Sequence, residues 1–478
     1  MTPLPTHGRS KTEVLDTMKA ARDKDVRWRE GRVFSLVFNA GDEVNDVLKD
    51  AYSLFFSENG LNPTAFPSLK KFETEVVAMV AALLGGDANV VGNMTTGGTE
   101  SLLMAVLTAR EYARAAKPHI TAPEMVLPAS AHPAFEKAAH YFGVKSIRVR
   151  LRPDFRADVA AMEQAITPNT ILMVGSAPSY PQGVVDPIRE LAQVAMRHNV
   201  LFHTDACVGG MLLPFVRKLG YAVPDFDFSI PGVTSISADL HKYGYAAKGA
   251  SVTLYRNSEL RRHQFFAYTD WSGGVYVSPS MTGTRPGGPI AAAWALLNYL
   301  GEAGYLKLTD QVMKTVIKLR DGINTIDGLH VLSNPEMSVM AIGSDSLDVY
   351  EVGDELTARG WHLDRQQFPP SLHLTVSPYH ATVADAFLND LSEAAAKARQ
   401  PTLRKVTNRV MVKAANIAAK TLPEKWVSRL TSKTSSLVGA SGDGLPQRSA
   451  AMYGLIGTLP NRGDLREMVI DLLDQLTK

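Results

Sequence analysis

The chain has 478 residues, 45% of them hydrophobic and 21% charged, an ordinary globular composition with enough apolar material for a large core over about two domains. A net charge of +2 gives no global attraction for nucleic acid, and the single cysteine, Cys207, excludes an internal disulfide and suits a reducing compartment. The N-terminus lacks the apolar core of a signal peptide, and no stretch approaches the roughly 18 uninterrupted apolar residues of a membrane span, so a soluble, cytoplasmic protein is expected.

Residues 12–30 are charged with helical periodicity and predict an N-terminal arm, taken here as residues 1–60. From Phe66 the apolar spacing predicts a helix that stops at Gly85. Thr-Thr-Gly-Gly-Thr-Glu-Ser (95–101) opens a second helix. There Gly97 and Gly98 let backbone amides approach an anion, Thr99 can cap, and the helix start favours negative charge. By itself this pattern is also that of a plain turn and cap. His132, in Ser-Ala-His-Pro-Ala-Phe (130–135), offers a flat ring to stack on a heteroaromatic cofactor, or merely caps the helix that begins near Pro133.

Farther on, Thr-Ile-Leu-Met-Val-Gly (170–175) reads as a buried strand, 187–197 as a helix and Val-Leu-Phe-His-Thr-Asp (200–205) as the next strand. This alternation predicts an α/β fold: a mostly parallel sheet with helices on both faces. Ligands in such sheets sit at the carboxyl ends of strands, where Asp205 and Lys242 both fall. Beyond about 305 the pattern runs to helix and then short strands near 329–343 and 371–376. That predicts a large domain over 61–305 and a smaller C-terminal α+β domain over 306–478. Within the latter, 401–433 carries eight Lys or Arg against one Glu and is followed by a Ser/Gly/Thr-rich run. The 401–440 region is read as a solvated insertion, or as an interfacial helix that meets anionic membrane or covers the active site.

The most informative run is Ser-Ile-Ser-Ala-Asp-Leu-His-Lys-Tyr-Gly (235–244). A lysine after a histidine at a strand end is where pyridoxal-phosphate enzymes hold their cofactor as a Schiff base, and Lys242 supplies that amine. Asp205, 37 residues earlier (242 − 205), can pair with the pyridine nitrogen and keep the ring an electron sink, or can cap a helix. Lys248 is either a substrate-anion ligand and proton carrier or an exposed turn lysine. Ser-Met-Thr-Gly-Thr-Arg-Pro-Gly-Gly-Pro (280–289) is a Gly-rich turn before an apolar helix, either completing a phosphate site, in this chain or a neighbouring subunit, or a plain loop.

Several longer blocks occur in order: Phe-Pro-Ser-Leu-Lys-Lys-Phe-Glu (66–73), Thr-Gly-Gly-Thr-Glu-Ser (96–101), Ser-Ala-Pro-Ser-Tyr-Pro-Gln-Gly (176–183), Asp-Ala-Cys-Val-Gly-Gly (205–210), the run 232–249, Thr-Asp-Trp-Ser-Gly-Gly-Val-Tyr-Val-Ser-Pro (269–279) and Gln-Phe-Pro-Pro-Ser-Leu-His (367–373). Together they make the chain resemble the sphingosine-1-phosphate lyases, fold-type I pyridoxal-phosphate proteins of the group II decarboxylase superfamily. The resemblance implies a homodimer with shared active sites. It also implies C2–C3 cleavage of a phosphorylated sphingoid base to a fatty aldehyde and phosphoethanolamine. It places the cofactor on Lys242, Asp205 and His132, its phosphate on His241 and the 97–99 turn, with Thr284 reaching in from the partner chain. Lys248 matches a lysine that grips the substrate phosphate. Two departures lie on the substrate side: Asn62 stands where the family has histidine, and Phe38 near a family tyrosine. Asn62 carries no charge and Phe38 no hydroxyl. Gln182 replaces a further common histidine. The altered pocket leaves open a decarboxylase, or a lyase on another amino alcohol.

Overall fold

The computed structural model describes residues 3–23, 25–400 and six positions between 466 and 474. The basic stretch 401–433 and the Ser/Gly-rich run after it lie outside the described residues. The main sheet has seven strands: β1 (Val91–Thr95), β2 (Glu124–Pro128), β3 (Lys145–Val149), β4 (Thr170–Ser176), β5 (Leu201–Asp205), β6 (Ser235–Ala238) and β7 (Ser251–Tyr255). Their order across the sheet is β1-β7-β6-β5-β4-β2-β3. β2 to β6 pair in parallel with their neighbours, while β7 runs antiparallel to both β1 and β6.

The period-2 alternation of strands divides the apolar residues between two faces. Val126 and Met173 enter one core with Phe202 and Ile236, whereas Met125, Leu127, Leu172 and Val174 face a second core closed by Leu102, Leu103 and Phe135. Burial on both faces is why β4 reads as a continuous apolar run rather than an alternating one. The helix Pro67–Leu83 forms with proline in its first turn, and Gly85 (φ 67°) ends it in the left-handed region.

A second, antiparallel sheet has the order His330–Val331, Val339–Gly343, Ser371–Thr375, Asp364–Gln366, backed by helices Val349–Ala358 and Ala384–Arg399. The long helix Gly287–Thr325, bent at Gly301, runs from the site toward this sheet. The N-terminal segment is stitched to the same sheet: Val33 bridges His362, and Thr375 N–H donates to the Phe34 carbonyl. Phe34 itself stacks on His380 at 4.1 Å. The segment that carries Phe38 is thus held by the small sheet. Farther toward the N-terminus, helix Lys11–Arg22 is closed by a Ser10–Glu13 capping box and buries none of its side chains.

A two-stranded hairpin, Phe266–Tyr268 with Tyr276–Ser278, projects from the body. Phe266, Trp271, Val275 and Val277 on it are exposed. No helix among the described residues is long and apolar enough to cross a membrane.

Candidate active site

The site lies at the carboxyl ends of β4, β5 and β6, as expected for a parallel sheet. Asp205 is the last residue of β5 and pairs in register with Ser237 of β6. Its Oδ1 accepts from the Cys207 N–H at 3.1 Å and from the Ser237 hydroxyl at 3.4 Å. The next helix starts only at Leu213, so Asp205 caps a turn and not a helix. Behind it, His203 is buried with Nδ1 2.8 Å from Ser235 Oγ and Nε2 3.2 Å from Ser237 Oγ. Burial lowers its pKa to about 4, so the ring is a neutral buttress for Ser237.

Asp239 follows β6 directly, and Lys242 lies one turn later. Lys242 Nζ is 3.0 Å from Asp239 Oδ2. Burial pushes the lysine ammonium down, but the Asp239 carboxylate more than reverses this, and Lys242 stands above its ordinary value. Burial likewise opposes the charge on Asp239, which Lys242, His241 and the Ser251 hydroxyl outweigh, leaving its carboxyl below the ordinary range. Sequence reasoning passed over Asp239, although its i,i+3 spacing to Lys242 inside the same block was a readable signal.

His132 makes the helix-start contact that was one of its two readings. Its Nδ1 accepts from the Ala134 N–H at 3.1 Å, at the start of helix Ala134–Phe142. The same ring lies within the electrostatic reach of Asp205, Lys242 and Asp239, and burial keeps it below its ordinary pKa and neutral. His241 Nδ1 accepts from the Ala250 N–H at 3.3 Å, and its Nε2 faces Asp239 at 3.6 Å.

The glycine turn before helix Gly98–Ala116 meets these groups from across the sheet. A Cβ on Gly97 would lie 3.2 Å from His241 Cε1, and one on Gly98 would lie 2.7 Å from Asp239 Oδ2 and 3.0 Å from Cys207 Sγ. Gly98 is therefore required for close packing on the lysine's counter-ion. The expectation that Thr99 caps this helix is corrected: Gly97 is the cap residue, with no side-chain cap bond, because the helix begins two residues earlier than the Thr99 reading needs. Glu100 performs the local anchoring, accepting from the Thr96 N–H at 2.6 Å and from the Met281 N–H at 2.8 Å. The second contact brings the 280–289 loop against the turn. Arg285, forked onto Glu73 at 2.8 and 2.5 Å, holds the same loop. Thr284 is exposed on this loop.

On the substrate side, Lys248 Nζ donates to the His241 carbonyl at 3.2 Å and lies 5.2 Å from the centre of the Phe38 ring. Burial, and the nearby Lys242 charge, lower its pKa to about 8. Phe38 meets Tyr243 edge-on at 4.9 Å, and the Tyr243 hydroxyl donates to the Val376 carbonyl. Asn62 is exposed, and its side-chain oxygen is taken by its own turn: Thr64 N–H at 3.0 Å, Thr64 Oγ1 at 2.7 Å and Ala65 N–H at 3.2 Å. Gln182 is buried, and its Oε1 meets no donor.

These groups fit pyridoxal phosphate. An amine with a single carboxylate partner, a carboxylate at a strand end, a neutral buried imidazole and a glycine turn bare of Cβ atoms converge on one sheet edge. Residues 13–342 match the family model described as the pyridoxal-dependent decarboxylase conserved domain. The chain is 42% identical over 481 residues to sphingosine-1-phosphate lyase of Oryza sativa subsp. japonica, covering 99% of this chain and 81% of that protein. It is 43% identical over 432 residues to sphingosine-1-phosphate lyase 1 of Rattus norvegicus, covering 90% and 75%. The solved structure of the Burkholderia pseudomallei sphingosine-1-phosphate lyase matches with a TM-score of 0.81 at 39% identity, over 88% of this chain and 98% of that one. The chain belongs to the sphingosine-1-phosphate lyase family of pyridoxal-dependent enzymes. A Lactobacillus brevis glutamate decarboxylase, at 19% identity and a TM-score of 0.73, shares the fold.

Proposed function

We propose that the chain is a pyridoxal-phosphate-dependent aldehyde-lyase that cleaves the C2–C3 bond of a phosphorylated sphingoid base, releasing a fatty aldehyde and phosphoethanolamine. The observation that carries this reading is the near full-length identity to lyases of that name, joined to the Lys242–Asp239 pair beside Asp205 and His132. When bound, pyridoxal phosphate supplies a cationic ring that accepts the electron pair left on C2. Lys242 would give the amine that holds the cofactor and would yield it to the substrate amine. With the cofactor bound, Asp205 would pair with the ring nitrogen and hold its proton, and His132 would stack on the ring. His241 and the Gly97–Gly98–Thr99 turn would hold the cofactor phosphate. In cleavage the C3 hydroxyl proton passes to a base, C2–C3 breaks, C3 becomes the aldehyde, and C2 is reprotonated.

Lys248 is assigned to the substrate phosphate, with Phe38 and Asn62 lining that end. The protein is further proposed to work in the cytoplasm as a homodimer. The exposed apolar hairpin supports the dimer, with Thr284 of each protomer serving its partner's site. The arm 1–60, large domain 61–305 and small domain 306–478 are the proposed divisions. The basic stretch 401–433 is proposed to touch anionic membrane weakly; unchanged vesicle flotation after its deletion would refute this. A second reading, cleavage of an unphosphorylated amino alcohol or decarboxylation of an amino acid, is favoured by one observation. Asn62 spends its acceptor on its own turn, and Phe38 turns an apolar ring to Lys248. Product analysis with matched phosphorylated and free sphingoid bases, beside an amino-acid panel scored for carbon dioxide, separates the two. Aldehyde from the phosphorylated base is expected; carbon dioxide without aldehyde would overturn the lyase assignment.

A further inference from the structure

Asp239 is fully buried, and a carboxylate there needs strong compensation to stay ionised. Its Oδ2 faces the Lys242 ammonium, with Nζ at 3.0 Å, and the His241 ring, with Nε2 at 3.6 Å. Its Oδ1 takes the Ser251 hydroxyl at 2.6 Å. Ser251 Oγ is in turn 2.8 Å from Ser101 Oγ, and Ser101 Oγ is 2.6 Å from Thr95 Oγ1. Ser101 and Ser251 are wholly buried, and Thr95 is nearly so. These residues come from three elements: β1, the helix Gly98–Ala116 and β7.

A proton count orients the chain. An ionised carboxylate only accepts, and each hydroxyl has one proton to give. Ser251 must therefore donate to Asp239, although the Ala238 carbonyl lies 3.1 Å away as a competitor. Its lone pair then receives the Ser101 proton, and Ser101 receives that of Thr95. All three dipoles point at Asp239, and aligned hydroxyls strengthen one another in a low-dielectric interior.

We propose that Thr95, Ser101 and Ser251 form a positioning relay that keeps Asp239 ionised and thereby sets the proton affinity of the Lys242 nitrogen. The other titratable groups within electrostatic reach of Lys242 are Asp205, Cys207, His132, His241 and Lys248. None of these is a member of the hydroxyl chain, so changing it leaves them in place. The proposal rests on the reading of Lys242 as the cofactor-binding amine for its importance, while its effect on that amine exists without cofactor.

Two readouts test it on the full-length protein. The first is a pH titration of the visible absorbance of the holoenzyme. The second is the rate at which Lys242 is acetylated at neutral pH after the cofactor is stripped, scored by mass spectrometry against exposed Lys49. Ser251→Ala removes one hydrogen bond to a charged group, so the absorbance midpoint should fall by about one pH unit and labelling should quicken roughly tenfold. Ser101→Ala, which does not touch Asp239, should move both in the same direction, with labelling about twofold faster. Ser251→Thr should return both toward wild type. Thr108→Val removes a buried hydroxyl on the same helix, bonded to Tyr255 at 2.9 Å and outside the chain, and should move neither. Should Ser251→Ala not fold, Ser101→Ala still carries the test. Unmoved values in a folded Ser101→Ala protein overturn the relay, as does an equal shift in Thr108→Val. A colourless wild-type protein, by contrast, sinks the cofactor reading and leaves the labelling arm to judge the relay.

Discussion

If Lys248 grips an anionic headgroup, its pKa of about 8 makes that grip depend on pH within the working range. The lowering has two physical sources, burial of the ammonium first and the neighbouring Lys242 charge second, with Asp239 opposing them. The sign is then fixed. About nine-tenths of Lys248 is charged at pH 7 and about one-tenth at pH 9 in the free enzyme. A phosphate monoester, with its second pKa near 6, stays largely dianionic over the same interval. So kcat/KM for a phosphorylated base should fall about tenfold relative to the unphosphorylated base between pH 7 and pH 9. Using the ratio cancels titration of the substrate amine and of the cofactor, which both substrates share. Lys248→Arg should flatten the ratio, since a guanidinium keeps its proton throughout. Lys248→Met should lower the ratio at pH 7 by roughly 10- to 100-fold, the worth of one hydrogen bond between charged groups. A flat wild-type ratio through pH 9, or an equal fall for both substrates, would refute the assignment of Lys248 to the headgroup.

Three further outcomes follow from the same geometry. Asp205→Asn keeps an acceptor for the Cys207 N–H but no charge for a ring nitrogen, so kcat should fall about 10²-fold or more. The denaturation midpoint should change little, and a fall in stability matching the lost activity would argue for a purely structural role. Gly98→Ala drives a methyl to within 2.7 Å of Asp239 Oδ2, and overpacking there should cost about 1–3 kcal/mol in urea unfolding; an unchanged midpoint would mean the turn can shift. Asp186 is fully buried, where burial outweighs the Ser176 and Ala157 N–H donors and raises its carboxyl to about 6. Its contribution to stability is therefore complete below about pH 4 and is lost as pH rises through 6, by about 2–3 kcal/mol. Asp186→Asn should remove that slope, and a variant whose unfolding free energy keeps the wild-type pH dependence would show that another group titrates.

What was readable in the chain followed from burial and from covalent neighbours. β4 stood out because a strand covered on both faces needs a continuous apolar run, and β5 because Leu201 and Phe202 continue the apolar start at Val200. Asp205 was conspicuous for the converse reason, a charge ending such a strand. The antiparallel insertion of β7 between β1 and β6 was not readable, since strand order depends on pairings far apart in sequence. The same limit hid the Tyr180–Asp364 hydrogen bond, which ties the loop after β4 to the small sheet across 184 positions.

Asp239 is the instructive case, because it sits three residues from the lysine that drew attention and was still overlooked. Its role is not local. The lysine contact comes from its own turn, but the donor that satisfies its other oxygen is on β7, and the bare Cα that allows close packing is at Gly98 on the opposite side. A carboxylate is buried at tolerable cost only when its charge is compensated, and here its own turn, β7 and the Gly98 turn must come together for that. That requirement links the Gly-Gly-Thr turn and the His-Lys pair of this chain. A single carboxylate is packed between them, so a change in either is felt first as a change in the charge on Lys242.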